Sequence, residues 1–305
     1  MLGQQLIIAT IISLSFSGGS TSGCRAEHNT GSQVNKPSVP EEDNKVSSEL
    51  KVLAEGFHSS ITSPFVAVIR DEETYLALNK LEGNLPKLEG DLFKSKILIA
   101  AFLGQRNTGG FSVQIVQSAD GEIRVSEAKP GKGMMVPQMI TSPFRMVSVS
   151  VGKSSPVRLV LDPVWNSSMR NYSVTNGTFT MTGGIAGRSE KFRLAGHVGL
   201  LREQGLITFS FRLWNNAEKN KVMLADFATG MVQDSGVITI PVLSAGALVN
   251  PPNDGLKARG QLTNNDAKIS IDFASLTSMI ADGFSGMGSI EAVMVLPTAK
   301  TTGLS

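Results

Sequence analysis

Short stretches of alternating or continuous hydrophobic residues recur along most of the chain and predict strands. Residues 97–103 are continuously apolar, which is typical of a strand covered on both faces. Residues 111–116 largely alternate apolar and polar side chains, which is typical of a half-buried strand. Asp120-Gly121 follows and predicts a hairpin turn into residues 123–125. Further strands are predicted at residues 65–70, 144–151 and 157–161.

One helix interrupts this pattern near the start of the first half. Asp71 is a favoured N-cap residue, and Glu72 and Glu73 follow it in the first turn, where acidic side chains interact favourably with the helix dipole. Leucines then recur up to Leu81, and residues 83–86 contain the glycine and proline that end the helix. The first half is therefore predicted as an antiparallel β domain with one short helix.

The second half follows a run of turn residues at 162–168 and again reads as short strands separated by glycine and asparagine. Asn264-Asn265-Asp266 predicts a hairpin, and residues 276–280 are predicted as a helical segment. The predicted strands cover residues 177–181, 192–195, 206–213, 236–240, 257–262, 268–273 and 290–296. This regular spacing favours a sandwich or a barrel-like sheet. The fold class is thus mainly β, with two antiparallel β domains at residues 51–162 and 163–305.

The first residues predict export. An apolar stretch at residues 6–16 is too short to span a bilayer and has the length of a signal-peptide core. Small residues precede Cys24 and resemble a bacterial lipobox, in which the cysteine is lipidated and becomes the mature N-terminus. We therefore interpret residues 1–24 as a signal peptide with a lipid anchor on Cys24. The alternative is an ordinary signal peptide that leaves Cys24 as an incidental thiol.

The residues after Cys24 predict a tether. Residues 25–50 are polar, with too few apolar side chains to offset the entropy of an ordered chain. Such a segment would hold a folded domain away from a membrane surface. The predicted location is the bacterial cell envelope, on the periplasmic side or at the surface.

Charge and reactive side chains exclude several function classes. The net charge is only +2, which gives no basic field to concentrate a phosphate backbone, so we expect no nucleic acid partner. Cys24 is the single cysteine, and His28, His58 and His197 are the three histidines. One cysteine forms neither an intramolecular disulfide nor a cysteine-based zinc site. We therefore expect no metal, no cofactor and no catalytic residue.

Two turns of the first half are candidates for binding a protein partner. Glycine after residue 108 permits unusual backbone angles and close approach of another surface, and the proline before residue 144 stiffens the second turn. The alternative is that both turns only reverse the chain and bury their phenylalanines in the core. The candidate residues are Arg106, Asn107, Thr108, Gly109, Gly110, Phe111, Thr141, Pro143 and Phe144.

These turns also carry a resemblance to the C-terminal domain of the PrcB family, over about residues 55–160. The helix with its acidic start at residues 71–73 suits the same layout. The resembling segments, in order, are Phe102-Leu103-Gly104, Asn107-Thr108-Gly109-Gly110-Phe111, Pro130-Gly131, Thr141-Ser142-Pro143-Phe144 and Met146-Val147-Ser148-Val149. The resemblance implies an accessory lipoprotein that binds or stabilises a cell-surface, subtilisin-type protease complex.

Two alternative functions stay open. Residues 107–111, 131–133 and 142–144 are similar to the three loops with which chagasin-like inhibitors bind cysteine proteases. The second half resembles no family, and an adhesin or a carbohydrate-binding module is the alternative for it. Trp165, Tyr172 and Trp214 are its candidate aromatic patch, unless they belong to the core.

Overall fold

A computed structural model describes residues 50–151, 157–183, 188–215, 222–243, 256–278 and 284–296. Residues Val46–Ser305 form one compact unit. The predicted signal peptide, Cys24 and all but the last residue of the tether lie outside the described residues. The predicted boundary between residues 162 and 163 falls at the start of a short helix, and the assignment of the two halves to separate domains stays a prediction.

The first half contains two small sheets and short helices; the sequence predicted antiparallel strands and only the helix that follows Asp71. Strands β1, β6, β3 and β2 form a four-stranded antiparallel sheet in that order, and β4, β5 and β7 form a three-stranded one. The elements are β1 Lys51–Gly56, β2 Phe65–Ile69, α1 Glu72–Glu82, α2 Leu92–Ser95, β3 Ile97–Phe102, β4 Ser112–Gln117, β5 Ile123–Ala128, β6 Phe144–Val149, β7 Leu159–Leu161 and α3 Pro163–Asn166.

The predicted helix α1 begins and ends where its caps require. The Asp71 carboxylate accepts a hydrogen bond from the Thr74 backbone N–H at 2.9 Å. Gly83 adopts a left-handed conformation with φ of 86°, and its N–H donates to the Asn79 carbonyl. Both predicted caps are confirmed.

Strand β3 lies inside its sheet and is buried along its whole length, which confirms the reading of its continuous apolar sequence. Its last carbonyl, on Phe102, accepts a 2.9 Å hydrogen bond from the indole N–H of Trp165 in α3. Trp165 is fully buried in the same core. The segment that joins the two halves is therefore packed into the core of the first half.

The second half is an eight-stranded antiparallel barrel in which each strand pairs with the next along the chain. The barrel closes where β15 pairs with β8. The strands are β8 Arg170–Gly183, β9 Arg188–Glu203, β10 Leu206–Asn215, β11 Val222–Val232, β12 Val237–Leu243, β13 Leu256–Thr263, β14 Lys268–Ser278 and β15 Phe284–Met294.

Large apolar side chains fill the inside of the barrel. Along β10 the buried residues that join this core alternate, as Ile207, Phe209, Phe211 and Leu213. Phe211 meets Phe273 of β14 across the interior, with ring centroids 6.0 Å apart. The period of two expected for a strand with one buried face therefore holds along β10.

The barrel covers the free edge of the first sheet. The Val68 backbone N–H on edge strand β2 donates to the Thr229 hydroxyl of β11 at 2.9 Å, and that hydroxyl lies 2.7 Å from the Thr208 hydroxyl of β10. Leu201 and Leu206 belong to the core of the first half. An exposed strand edge invites aggregation, and the barrel protects the β2 edge, while β1 forms the other edge of this sheet.

One prediction is wrong, the antiparallel prediction has one exception, and one open alternative is decided. The helical segment at residues 276–280 is wrong where it is described, because Leu276 to Ser278 continue β14 and pair with β15. The pairing of β5 with β7 is parallel, an exception to the antiparallel prediction. The core interpretation is confirmed for Trp165 and Tyr172, which are buried and do not form a surface patch. The side chain of Trp214 lies outside the described part.

Candidate functional site

Three segments meet at one end of the four-stranded sheet. They are residues 103–111 between β3 and β4, residues 129–143 between β5 and β6, and residues 57–63 after β1. We call these segments together the loop cluster. All nine predicted partner-binding residues lie in it or at its border with β6.

Backbone hydrogen bonds hold the loop cluster together. The Arg106 and Thr141 amides each donate to the other residue's carbonyl, at 2.7 and 2.9 Å. The Gly109 N–H donates to the Pro137 carbonyl at 2.8 Å, and the Ser142 N–H donates to the Phe57 carbonyl at 2.7 Å. Because these bonds join all three segments, the loops form one structured surface without regular secondary structure.

The two predicted glycines are needed for contacts inside this surface. Gly110 has φ of 85°, and an added Cβ there would lie 2.8 Å from a Val136 methyl carbon and 2.9 Å from Pro130. An added Cβ at Gly109 would lie 3.1 Å from a carbon of the Pro137 ring. The close approach that the glycines permit is thus made by the chain's own neighbouring loop.

Arg106 is turned inward. Its guanidinium donates to one Glu127 carboxylate oxygen at 3.0 Å and 2.9 Å, and only 17% of the Arg106 side chain and 11% of the Glu127 side chain are exposed. It also lies 5.7 Å from the ring centroid of Phe111. Glu127 therefore compensates the charge of Arg106 within the loop cluster, and the role of Arg106 in partner binding stays a prediction.

The proline turn also points into the protein. Thr141 and Pro143 are buried, and the Thr141 hydroxyl donates to the Thr108 carbonyl at 3.1 Å. The half-buried ring of Phe144 stacks on Phe102 with centroids 5.7 Å apart. These contacts support the interpretation that the proline turn is structural. In the glycine turn, Asn107 and Gly110 are exposed.

The most exposed apolar side chains of the loop cluster escaped the sequence reasoning. We call the exposed residues Phe57, Met134, Met135, Met139 and Ile140 the methionine patch. The sequence contained a signal for these exposed residues, because it has three methionines within six residues. Their spacing fits neither a strand nor a helix, so no buried face of either was predicted for them. Methionine is a flexible, polarisable side chain that adapts to a partner surface.

A groove of about 470 Å³ lies between α1 and the rim of the barrel. Its floor is apolar, with Leu81, Leu206 and Met231, and Glu73 and Lys80 contribute charges. None of the predicted site residues lies there. In the ranges that the structure describes, no three His, Cys, Asp or Glu side chains are grouped as metal ligands. No helix among those residues has the length and apolar composition needed to cross a membrane.

Comparison with protein families singles out the segment that builds the loop cluster. Residues 97–150 match the family model described as PrcB C-terminal. The PrcB resemblance is confirmed over these residues, which run from β3 to the end of β6 and include most of the cluster. No curated protein and no solved structure matches the chain. The PrcB C-terminal match does not reach the barrel.

Proposed function

We propose that this chain is a non-catalytic accessory protein of the bacterial cell envelope that docks on a surface protease complex through the loop cluster. One observation carries the proposal: the segment that matches the PrcB C-terminal model also builds a structured surface with an exposed apolar patch. Contiguous exposed apolar side chains on an otherwise well-packed domain are typical of a protein-binding site.

Purification from the native membrane under mild solubilisation tests the docking. The full-length protein carries a small C-terminal affinity tag, and the co-purified proteins are identified by mass spectrometry. We expect a subtilisin-type protease or one of its complex subunits in stoichiometric amounts. Recovery of the protein without any protease would contradict the proposal.

The proposed lipid anchor on Cys24 rests on the leader and on the small residues before the cysteine. Residues 25–50 have a contour length of up to about 90 Å, since an extended chain spans at most 3.3–3.6 Å per residue. Metabolic labelling with a fatty acid should mark the wild-type protein and not Cys24→Ser. Equal labelling of both would exclude the anchor.

A protease inhibitor is the second candidate. Its support is that residues 107–111, 131–133 and 142–144, the loops that resemble those of chagasin-like inhibitors, all lie in the loop cluster. Against it, the Phe144 ring is occupied by stacking on Phe102. Titration of a papain-type protease would show stoichiometric inhibition if this candidate is right, and undiminished proteolysis if it is wrong.

A further inference from the structure

The methionine patch consists of exposed apolar residues on one loop and on the neighbouring segment to which that loop is hydrogen-bonded. Met135 is fully exposed, and Met134, Ile140, Phe57 and Met139 expose 66%, 60%, 54% and 46% of their surface. Single exposed apolar residues are ordinary on protein surfaces, but four within seven residues of one loop are an unusual concentration that burial against a partner would stabilise.

The loop that carries the patch has a defined shape before any partner binds. Its first turn is closed by the Met134 N–H, which donates to the Gly131 carbonyl at 3.1 Å. Its middle is fixed where Pro137 packs on Gly109, and its end pairs with Arg106 through Thr141. A preorganised loop loses little backbone entropy on binding, so the apolar contact contributes more fully to affinity.

The charges beside the patch are positive. Residues 128–144 contain Lys129 and Lys132 and no acidic residue. The nearest carboxylate in sequence, Glu127, is already bound by Arg106 and lies 3.4 Å from the Lys129 ammonium group. Glu55 at the neighbouring edge of β1 is paired with Arg145 at 2.5 Å. The surroundings of the patch therefore favour a partner that carries negative charge.

The same charges argue against a second copy of this chain as the partner. In a symmetric dimer the two patches would bring the same excess of positive charge together, with no complementary carboxylates to meet it. Directional polar groups argue against a lipid surface, because Asn107 and Gly110 are exposed in the same loop cluster. An apolar centre with a polar rim is the pattern of a protein interface.

We propose that the methionine patch is the contact surface for a protein whose complementary face is an apolar groove bordered by carboxylates. This inference rests on the proposed function and names the chemistry of the partner's docking face. The methionines fill the groove, and Lys129 and Lys132 pair with its border.

The test uses full-length protein and the protease complex recovered with it from the native membrane. A triple variant, Met134→Gln, Met135→Gln and Met139→Gln, should weaken recovery of the complex about tenfold or more, because buried hot-spot contacts dominate affinity. A Lys129→Glu, Lys132→Glu variant should weaken it as well, and its deficit should shrink as salt rises from about 0.05 to 0.5 M.

Met287→Gln and Lys268→Glu are the matched controls, since both residues are exposed on the barrel. Unchanged thermal unfolding of every variant shows that folding is intact. If the wild type recovers no protease, the proposed function fails. If the wild type recovers it and both patch variants recover it equally well, this inference alone is overturned. Patch-dependent binding to vesicles of anionic phospholipid, with no patch dependence of protease recovery, would also overturn it.

Discussion

The barrel turn between β13 and β14 joins two paired strands, whereas the loop between β5 and β6 joins strands of two different sheets. The side chains of these two connections are used in opposite ways. In the barrel turn, the Asp266 carboxylate accepts hydrogen bonds from Arg170 and Arg202 at 3.0 and 2.9 Å. The Asp266 carbonyl accepts a further bond from the Tyr172 hydroxyl at 2.7 Å. This turn uses its polar groups to hold strands of its own barrel together.

The loop between β5 and β6 is held by backbone bonds as well, but it leaves Met134, Met135 and Ile140 in water. The difference teaches that backbone hydrogen bonding fixes the shape of both connections, while the side chains indicate their use. A connection whose side chains bind their own domain is structural. A connection with a fixed backbone and unburied apolar side chains retains surface for a partner.

The largest difference is expected between buried and exposed apolar side chains. Phe209→Ala removes a fully buried ring from the barrel interior, and we expect the free energy of unfolding to fall by about 3–5 kcal/mol. Met135→Ala should change it by less than about 0.5 kcal/mol. Urea unfolding measures both. A comparable loss for Met135→Ala would show that the patch belongs to the fold.

Arg106→Ala should have the next largest effect, because it leaves the Glu127 carboxylate largely buried without its main partner. Breaking a buried ion pair lowers the free energy of unfolding by about 3–5 kcal/mol. The Lys129 ammonium group, 3.4 Å from the Glu127 carboxylate, offsets part of that loss, so we expect a decrease of about 2 kcal/mol. Lys129→Ala is the control, expected to cost under about 1 kcal/mol because this lysine is exposed. Equal losses would mean that Arg106 does not hold the loop cluster.

Asp266→Asn tests the barrel turn. Asparagine tolerates the positive φ of 64° at this position, so the substitution removes charge while keeping the backbone. The two arginine pairs are partly exposed, and we expect a loss of about 0.5–1 kcal/mol that becomes smaller at high salt. Asp272→Asn on β14 is the matched control. A loss that does not respond to salt would contradict the ionic role.

Tyr172 should make the stability fall at alkaline pH. Burial raises the pKa of its phenol, and the nearby Asp266 acts in the same direction while Arg170 opposes both. The unfolded chain therefore loses this proton near pH 10 while the folded protein retains it, so stability falls as pH rises through that range. Tyr172→Phe should flatten the slope of unfolding free energy between about pH 9 and 11.

At neutral pH, Tyr172→Phe should cost about 1 kcal/mol, because the hydrogen bond to the Asp266 carbonyl is lost. Tyr75→Phe is a suitable comparison, because burial also raises the pKa of that phenol. An alkaline slope identical in the wild type and Tyr172→Phe would show that the buried phenol is not linked to folding.

Local features of the fold were predictable from the sequence because short-range chemistry decides them. Asp71 and Gly83 cap α1, and residues 264–266 form the predicted turn with three successive positive φ angles. Closure of the barrel was not predictable, because β15 pairs with β8 from more than a hundred residues away and local alternation does not select partners. The helical prediction was wrong at residues 276–278 for the same reason, because these residues pair with β15.

The candidate site was predictable in location and less so in orientation. Glycine and proline indicated the turns that meet in the loop cluster, because these two residue types constrain the backbone locally. The inward direction of the Arg106 side chain was not predictable from the sequence, because it depends on a hydrogen bond to Glu127 of β5. The exposure of Met134 and Met135 likewise depends on which apolar residues the core leaves out.

Site-specific photo-crosslinking in the intact cell envelope tests docking through the methionine patch most directly. A benzophenone amino acid replaces Met135 in one variant and Met287, an exposed methionine on the barrel, in the other. Docking through the patch predicts an adduct with a protease-complex subunit from position 135 and none from position 287. The same adduct from both positions, or none from position 135 while the complex still co-purifies, would contradict it.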